Sequence, residues 1–539
     1  MIRNYLPLFI LTVMLTSSSM NAQDDWSWAK SAGGTADFET GNDVATDDAG
    51  YMYVTGHFFE TASFGPLTLT SEGDRDMFVA KYSPLGNVVW AKRFGGAGFD
   101  DGRSIAVDDN ANVFVAGSSN EENVHLVKLD SSGTTLWEKT STDNSNNYFG
   151  RAVFVDVDNS GNSYLSGNYR ANITFDNETI QHTEEEDVFL VKYGPDGNLN
   201  WTRRIVSAAP FETAAIAFQR VSSMNVDGAG NCYLGGTFES QIYFDDDVSL
   251  DGTFSNSVEE YIVKYDTSGD ALFATKTTEE EQPVGPKGIA TDDSEEIYIT
   301  GWFNDNISLG DFDLVPVDED GEFSMYMAKL NSSGEFVWAK RGGNISNDVL
   351  AVDVALRSNG NPVFFADGPL TVIDDDEELG LFIGTVFGVE YTPDGTYETA
   401  IYGGDGNLEG ATMDPFGNLL FTGNFITDVT FGNTTLSTAG GDDIYVAKYG
   451  SAGPLSVEKE SELSFSIYPN PVVDHQLTIV SESSGRMTYS LIDVTGRIVQ
   501  RGILQRKGGS VNLSDITPGT YFIRLEKDDK TGIHKIIVR

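Results

Sequence analysis

The chain holds one cysteine in 539 residues, Cys232, and five histidines. A single thiol excludes an intrachain disulfide framework. Set in the apolar run Cys232-Tyr233-Leu234, it reads as a small buried hydrophobe. His57, His125, His182, His475 and His534 include no two at metal-ligand spacing, which excludes the common histidine zinc motifs. Positive charge is scarce, with 34 Lys+Arg against 82 Asp+Glu and a net charge of −48. So negative a surface disfavours nucleic acid and anionic lipid as partners. After the first 22 residues no apolar run approaches the roughly 20 residues that span a bilayer, so the mature chain is expected to be soluble, without a transmembrane segment. Helix-period patterns are few, whereas Gly is abundant at 57, and β-structure is the expectation.

The first segment has its own pattern. Arg3 is followed by an apolar stretch from Tyr5 to Leu15, then by small residues up to Ala22. A basic start, an apolar core and a small-residue exit describe a secretory signal peptide, residues 1–22, cleaved between Ala22 and Gln23. Charge marks a second boundary. From Glu462 onward there are 10 Lys/Arg against 8 Asp/Glu, so the preceding part carries −50.

Between these ends the chain repeats. An aromatic-x-small-Gly strand recurs at Tyr53-Val54-Thr55-Gly56, Phe114-Val115-Ala116-Gly117, Tyr164-Leu165-Ser166-Gly167, Tyr233-Leu234-Gly235-Gly236, Tyr298-Ile299-Thr300-Gly301 and Phe421-Thr422-Gly423, with a weaker copy at Val363-Phe364-Phe365-Ala366. Upstream of most copies lies an alternating strand and an acidic turn such as Asp47-Asp48-Ala49-Gly50, where Asp caps the turn and Gly accepts positive φ. Downstream come a third strand, as in Phe78-Val79-Ala80-Lys81-Tyr82, and a fourth ending in Trp, as in Val88-Val89-Trp90-Ala91-Lys92. Most copies insert a hairpin between strands two and three, for example Phe64-Gly65-Pro66-Leu67.

Four strands repeated seven times predict an all-β, seven-bladed β-propeller over residues 23–453. The last copy stops at Lys448-Tyr449-Gly450 without a Trp strand, and the missing piece stands at Trp26-Ser27-Trp28-Ala29-Lys30. Trp26, Trp28 and Lys30 are therefore expected to supply the outer strand of the seventh blade and close the ring. The sixth copy, about residues 349–400, departs from the pattern: Pro362 enters the strand, Ala366 replaces Gly, Glu390 replaces Lys and no Trp follows. On the Asp-x-x-Gly turn, the aromatic-x-Thr-Gly strand and the Phe-Val-Ala-Lys-Tyr strand, the region resembles the bacterial seven-bladed β-propeller repeat proteins known as SBBP.

After a linker at 454–464, a different pattern fills 465–539. Leu477-Thr478-Ile479-Val480, Tyr489 to Asp493 and Gly519 to Leu525 alternate cleanly, which predicts a small antiparallel sandwich. The start Tyr468-Pro469-Asn470-Pro471, the run Asp493-Val494-Thr495-Gly496-Arg497, Gly519-Thr520-Tyr521 and the end Lys535 to Arg539 resemble a type A C-terminal sorting domain of the type IX secretion system of Bacteroidota. The resemblance implies transit by the Sec translocon and the type IX outer-membrane machinery, through the periplasm, to the cell surface or the extracellular space.

Chemistry is sparse in the repeats. Asp130-Ser131-Ser132-Gly133-Thr134-Thr135-Leu136-Trp137 approaches a sialidase Asp-box but has a residue too many on each side of Gly. Asp156-Val157-Asp158-Asn159-Ser160-Gly161 begins like an EF-hand loop, yet its twelfth position is Gly167 instead of the bidentate Glu. The acidic runs Asp245 to Asp247 and Asp374 to Glu378 could hold calcium loosely, but read as turns or a solvated face, and no cofactor is expected. Phe58, Tyr169, Phe238, Phe303 and Phe425 recur two residues after the Gly and read as packing between blades. With no catalytic or metal constellation, the expectation is a monomeric, non-enzymatic binding or scaffold protein for an unknown extracellular polysaccharide or protein. The alternatives are a glycan-acting enzyme and a structural adhesion component.

Overall fold

The computed structural model describes residues 26–450 and 465–539, apart from 37, 121–122, 144–152, 183–185, 208–218, 240, 253–257, 280–284, 318–321, 345–346, 370, 375–376, 382–384, 405, 473–474, 482–486, 494–497, 505–507, 515 and 528–529. Ala22, Gln23, the 454–464 linker and Gly496 lie outside the described residues. The chain divides into two compact bodies between Gly453 and Pro454. Among the described residues there is no helix.

The first body is a succession of four-stranded antiparallel sheets. Blade 1 comprises Thr40–Thr46, Met52–Phe64, Leu67–Tyr82 and Val88–Phe94; blade 2, Asp101–Val107, Val113–Ser119, Asn123–Leu129 and Thr135–Thr140. Blade 3 comprises Val153–Val157, Ser163–Tyr169, Asp187–Tyr193 and Leu199–Ser207; blade 4, Gln219–Val226, Cys232–Glu239, Val258–Tyr265 and Ala271–Lys276. Blade 5 comprises Gly288–Thr291, Ile297–Phe303, Ser324–Leu330 and Phe336–Gly343; blade 6, Leu350–Leu356, Pro362–Asp367, Val386–Tyr391 and Tyr397–Tyr402. Blade 7 takes Asn407–Met413, Leu419–Phe425, Asp443–Tyr449 and, as its fourth strand, Trp26–Gly33. The first strand of each blade packs against the first strand of the next, and that of blade 7 packs against that of blade 1. The sheets thus form a closed ring, a β-propeller.

At the closure Trp28 stands opposite Lys448, Ala29 opposite Ala447 and Lys30 opposite Val446. The Trp26 ring lies 4.9 Å from that of Phe431, and buried Trp28 donates its indole N–H to Pro84 O at 3.0 Å. Lys30 is exposed.

The recurring residues have physical jobs. In the first turn Asp47 Oδ1 accepts from the N–H groups of Ala49 at 3.1 Å and Tyr51 at 2.9 Å, while Gly50 adopts a φ of 77°. The third-strand Lys reaches back to the turn Asp: Lys81–Asp47 at 3.6 Å, Lys192–Asp158 at 3.7 Å, Lys448–Asp414 at 2.8 Å. The same Lys also donates forward, sharing one carbonyl of the next blade with the fourth-strand Trp. Lys81 and Trp90 share Ser131 O, Lys128 and Trp137 share Pro195 O, and Lys329 and Trp338 share Pro393 O. Each motif therefore fastens its blade to its successor.

Blade 6 solves the same problem with the charges exchanged. Arg357 occupies the turn position held elsewhere by Asp, and its Nε lies 2.7 Å from Oε2 of Glu390, the residue that replaced Lys. Pro362 is the first residue of its strand, where the missing N–H is tolerated. The inserted hairpins add main-chain links between blades. Val206 and Ser207 of blade 3 pair with Tyr243 and Ile242, Arg341 to Gly343 of blade 5 with Thr371 to Ile373, and Ala32 and Gly33 of blade 7 with Phe64 and Ser63.

The second body has two sheets. One contains Phe465–Tyr468, Gln476–Ser481 and Gly508–Asn512; the other contains Met487–Asp493, Ile498–Leu504, Gly519–Lys527 and Lys530–Val538. Leu477, Ile479, Leu491, Ile523 and Ile536 form a shared core between them. Asn470 ties the start of this body to its last strand, donating to Lys535 O at 2.9 Å and accepting from Ile537 N at 3.0 Å.

Candidate functional site

The two faces of the ring differ. First strands all run toward tight four-residue turns on one face, Asp-x-x-Gly in blades 1, 3, 4 and 7. Connections between blades and the inserted hairpins lie on the other, where the first strands begin. Near this second face the register places His57, Ser118, Asn168, Thr237, Trp302, Asp367 and Asn424 at one level, one per blade. The scaffold is repeated and the side chain is not.

Bulges in the first strands add to this mouth. Register shifts at Gly41/Asp43, Gly102/Ser104, Val221/Ser223, Ala351/Asp353 and Leu408/Gly410 free Asn42, Arg103, Ser222, Val352 and Glu409 from the ladder. A bulge re-aims a side chain, and Arg103 and Glu409 are exposed as a result.

Three basic groups converge on fully buried Asp101: His57 Nδ1 at 2.5 Å, Arg75 Nη2 at 3.0 Å, and Arg103 in direct contact. The other ring nitrogen of His57, Nε2, lies 2.9 Å from Phe38 O. Burial alone would raise Asp101, but the His57 bond and the charges of His57, Arg103 and Arg75 outweigh it and draw the pKa down to about 2. Glu409 keeps an open surface but is enclosed by the ring, and this desolvation raises it against the pull of Arg103, His57 and Lys287. Lys287 senses both Glu260 and Glu409, and burial lowers it. Glu260 accepts from Tyr326 Oη at 2.8 Å and from Gly285 N at 3.1 Å, and burial lifts it to about 7. The Trp302 ring lies 5.9 Å from Lys287 Nζ and 4.4 Å from Phe323. The mouth thus combines cations, carboxylates and an aromatic ring within one electrostatic network.

Among the first strands, three more carboxylates accept main-chain N–H groups, and two of them bridge to a neighbouring blade. Asp43 accepts from Val44 N at 2.7 Å and from Ile105 N of blade 2 at 2.8 Å; Asp156 accepts from Val157 N at 2.8 Å and from Val226 N of blade 4 at 2.6 Å. Asp353 accepts from Val354 N at 2.8 Å. Each retains some accessible surface but is enclosed by the ring, and burial raises Asp43 to about 6, Asp156 to about 7 and Asp353 well above the usual carboxylate range.

The other singled-out residues are structural. Phe58, Tyr169, Phe238, Phe303 and Phe425 are all buried. Asp158 and Asp130 cap their turns, and Asp245 does the same for Asp247 and Val248. His125 bonds Glu138 at 2.5 Å, His182 lies edge-on to Tyr169, and His534 packs on Phe465. Cys232 is buried, which pushes its thiol up. Tyr468 is exposed beside Pro469, Asn470 and Pro471; Tyr521 donates its hydroxyl to Thr517 O at 2.8 Å; Asp493 ends a strand and Gly519 begins one. Lys535 and Arg539 are exposed at the last strand. In the sequence His57 is one of five histidines without metal-ligand spacing, and no pattern singles out Asp101, Arg103, Lys287 or Glu409. The available signal was basic residues at the starts of first strands in a chain poor in Lys and Arg.

Comparison with known proteins finds a family match within each body. Residues 466–539 match the secretion system C-terminal sorting domain, and residues 89–123 match a β-propeller repeat. An uncharacterized WD repeat-containing protein of Acanthamoeba polyphaga mimivirus is 23% identical over 249 residues, which is 42% of this chain and 14% of the viral protein. This chain therefore spans only a small part of that relative's length. Among solved structures, the mitotic checkpoint complex aligns with 84% of this chain and 98% of its own at 11% identity and a TM-score of 0.41. A protein of unknown function from Bacteroides caccae aligns with 57% and 92% at 12% identity and a TM-score of 0.29. The sorting domain implies export through the type IX system to the cell surface or the extracellular space. No helix among the described residues is long and apolar enough to cross a membrane.

Proposed function

Given an exported chain built on a β-propeller repeat, we propose that the first body is a binding module and that its channel mouth takes an extracellular polysaccharide or protein. The observation that carries this reading is the mouth itself: exposed Arg103 and Glu409, with Lys287 and Trp302, project different chemistry from one repeated scaffold. Binding is favoured over turnover by the state of the His57–Asp101 pair there. Both ring nitrogens of His57 face oxygens, so neither is free to take a substrate proton, and Asp101 is buried beneath three basic groups. Cleavage after Ala22, a monomeric state and passage by Sec and the type IX machinery belong to the same reading.

The test is a panel of surface polysaccharides and proteins presented to the full chain, with affinities compared between wild type and the Arg103→Ala/Lys287→Ala double variant. Loss of one charged contact is worth about 1.5–3 kcal/mol, so a drop of roughly tenfold or more is expected. Unchanged binding by the double variant, or ligand turnover abolished by Glu409→Gln, would overturn the reading.

A further inference from the structure

Glu39 and Asp443 meet at the seam where the ring closes. Glu39 leads into the first strand of blade 1, and Asp443 opens the third strand of blade 7. Their exposures are 0% and 2%. The two carboxylates converge, because a β-carbon added to Gly33 of the N-terminal strand would collide with Glu39 Oε2 and Asp443 Oδ1 alike. Each has one oxygen satisfied: Gly34 N–H donates to Glu39 Oε2 at 2.7 Å, and Ala439 N–H donates to Asp443 Oδ2. The remaining oxygens, Glu39 Oε1 and Asp443 Oδ1, are buried with no hydrogen bond of good geometry, although the Phe59 and Gly440 amides favour the charged forms of Glu39 and Asp443 in turn. Among the described residues no Lys, Arg or His lies within ion-pair distance of either. Burial, with Asp443 close by, raises Glu39 to about 7.

Other blades show what is missing. The same third-strand position is acidic in blade 1, where Asp76 faces Phe58, and in blade 4, where Glu259 faces Phe238, just as Asp443 faces Phe425. There the fourth strand supplies a base. Arg93, opposite Phe78, holds Asp76 at 2.8 Å, and Lys276, opposite Tyr261, holds Glu259 at 3.1 Å. The matching position in blade 7, opposite Tyr445, is Ser31. Ser31, Gly33, Ser63 and Asp443 line a cavity of about 230 Å³. Where two other blades carry their own cation, blade 7 has a second carboxylate and a void.

We infer that this seam binds a divalent cation, calcium by its donor chemistry, through Glu39 and Asp443. Oxygen-only donors favour a hard cation, two carboxylates balance its charge, and the cavity, which Asp443 lines and Glu39 adjoins at Gly33, leaves room for the water ligands calcium accepts. Among the described residues no third His, Cys, Asp or Glu joins the pair. That places the site with weak extracellular modules, at an apparent Kd of about 0.1–1 mM. The ion would join blade 7, the N-terminal strand and the lead into blade 1. It would thus lock the closure with the charge that Arg93 and Lys276 supply elsewhere.

The test uses the full chain, stripped with a chelator and melted in calcium chloride or magnesium chloride from about 10 μM to 10 mM. Calcium is expected to raise Tm progressively and magnesium to do so more weakly, with equilibrium dialysis retaining one calcium per chain. The response is expected to vanish in Glu39→Gln and Asp443→Asn. Ser31→Arg restores the base found in other blades; it is expected to raise Tm without calcium and to abolish the response. A wild type whose Tm is flat in calcium and that retains none on dialysis overturns the inference. So does a calcium response that persists in all three variants. A shared proton only, the competing explanation, predicts no calcium response in wild type and a Glu39→Gln variant at least as stable.

Discussion

Glu390→Lys sets two cations against each other where blade 6 holds its inverted ion pair. Arg357 Nε lies 2.7 Å from Glu390 Oε2, and the pair is embedded: Asn361 Nδ2 donates to Glu390 Oε1 at 2.8 Å, and Arg357 Nη1 donates to Gly417 O of blade 7 at 2.7 Å. Removing one partner of a buried pair costs about 3–5 kcal/mol because the other charge is left uncompensated. Arg357 keeps 23% of its side chain exposed, so solvent screening reduces this, and repulsion from the new Lys adds to it. The expected loss is about 3 kcal/mol, or a fall in Tm of roughly 3 °C for a body of this size. Arg357→Asp alone should cost a similar amount. Combining Arg357→Asp with Glu390→Lys rebuilds the arrangement of Lys448–Asp414 in the next blade, and should recover at least half of the loss. The assay is calorimetric or fluorescence melting of the three variants beside wild type. A single variant within 1 °C of wild type, or a double variant no better than the worse single one, would refute the claim that blade 6 keeps the fastening by exchanging its charges.

Two further predictions follow from the ring. Trp28→Ala removes a buried indole and its hydrogen bond to Pro84 O, so the closure should weaken by about 3–5 kcal/mol; unchanged melting would mean that the N-terminal strand does not hold the ring. Stability should also fall as pH rises. Asp43 and Asp156 have folded pKa values above the unfolded carboxylate value, so their contribution is complete below about pH 4 and is lost as pH passes through about 6 to 7, and Asp353, also raised by burial, acts in the same direction. Melting scans from pH 5 to pH 8 should show a declining Tm, and Asp156→Asn should flatten the decline; a Tm that climbs across this window would contradict the assignment.

The propeller was legible because repetition is a one-dimensional property. Asp, Gly, Lys and Trp recur at fixed offsets since each blade needs the same cap, the same positive-φ turn and the same link to its neighbour. The strand at Trp26 to Lys30 was readable as the missing fourth strand of the last copy, and the Pro-Asn-Pro segment as the start of a sorting domain. The sixth copy was legible only as a departure. Glu390 stood out as a replaced Lys, while its counterpart at Arg357 went unmarked, because the pairing depends on the turn and the third strand lying side by side.

The sequence by itself determined the all-β class, the four-strand repeat, the closing segment and the export address. Tertiary structure decided which distant groups share an environment. Arg103 meets His57 and Glu409 only because a bulge turns it out of its strand and the ring brings blades 7, 1 and 2 to one mouth. Glu39 meets Asp443 only because closure joins the two ends of the propeller. Burial and Coulomb interaction depend on distance in space, and in a closed ring residues hundreds of positions apart become nearest neighbours.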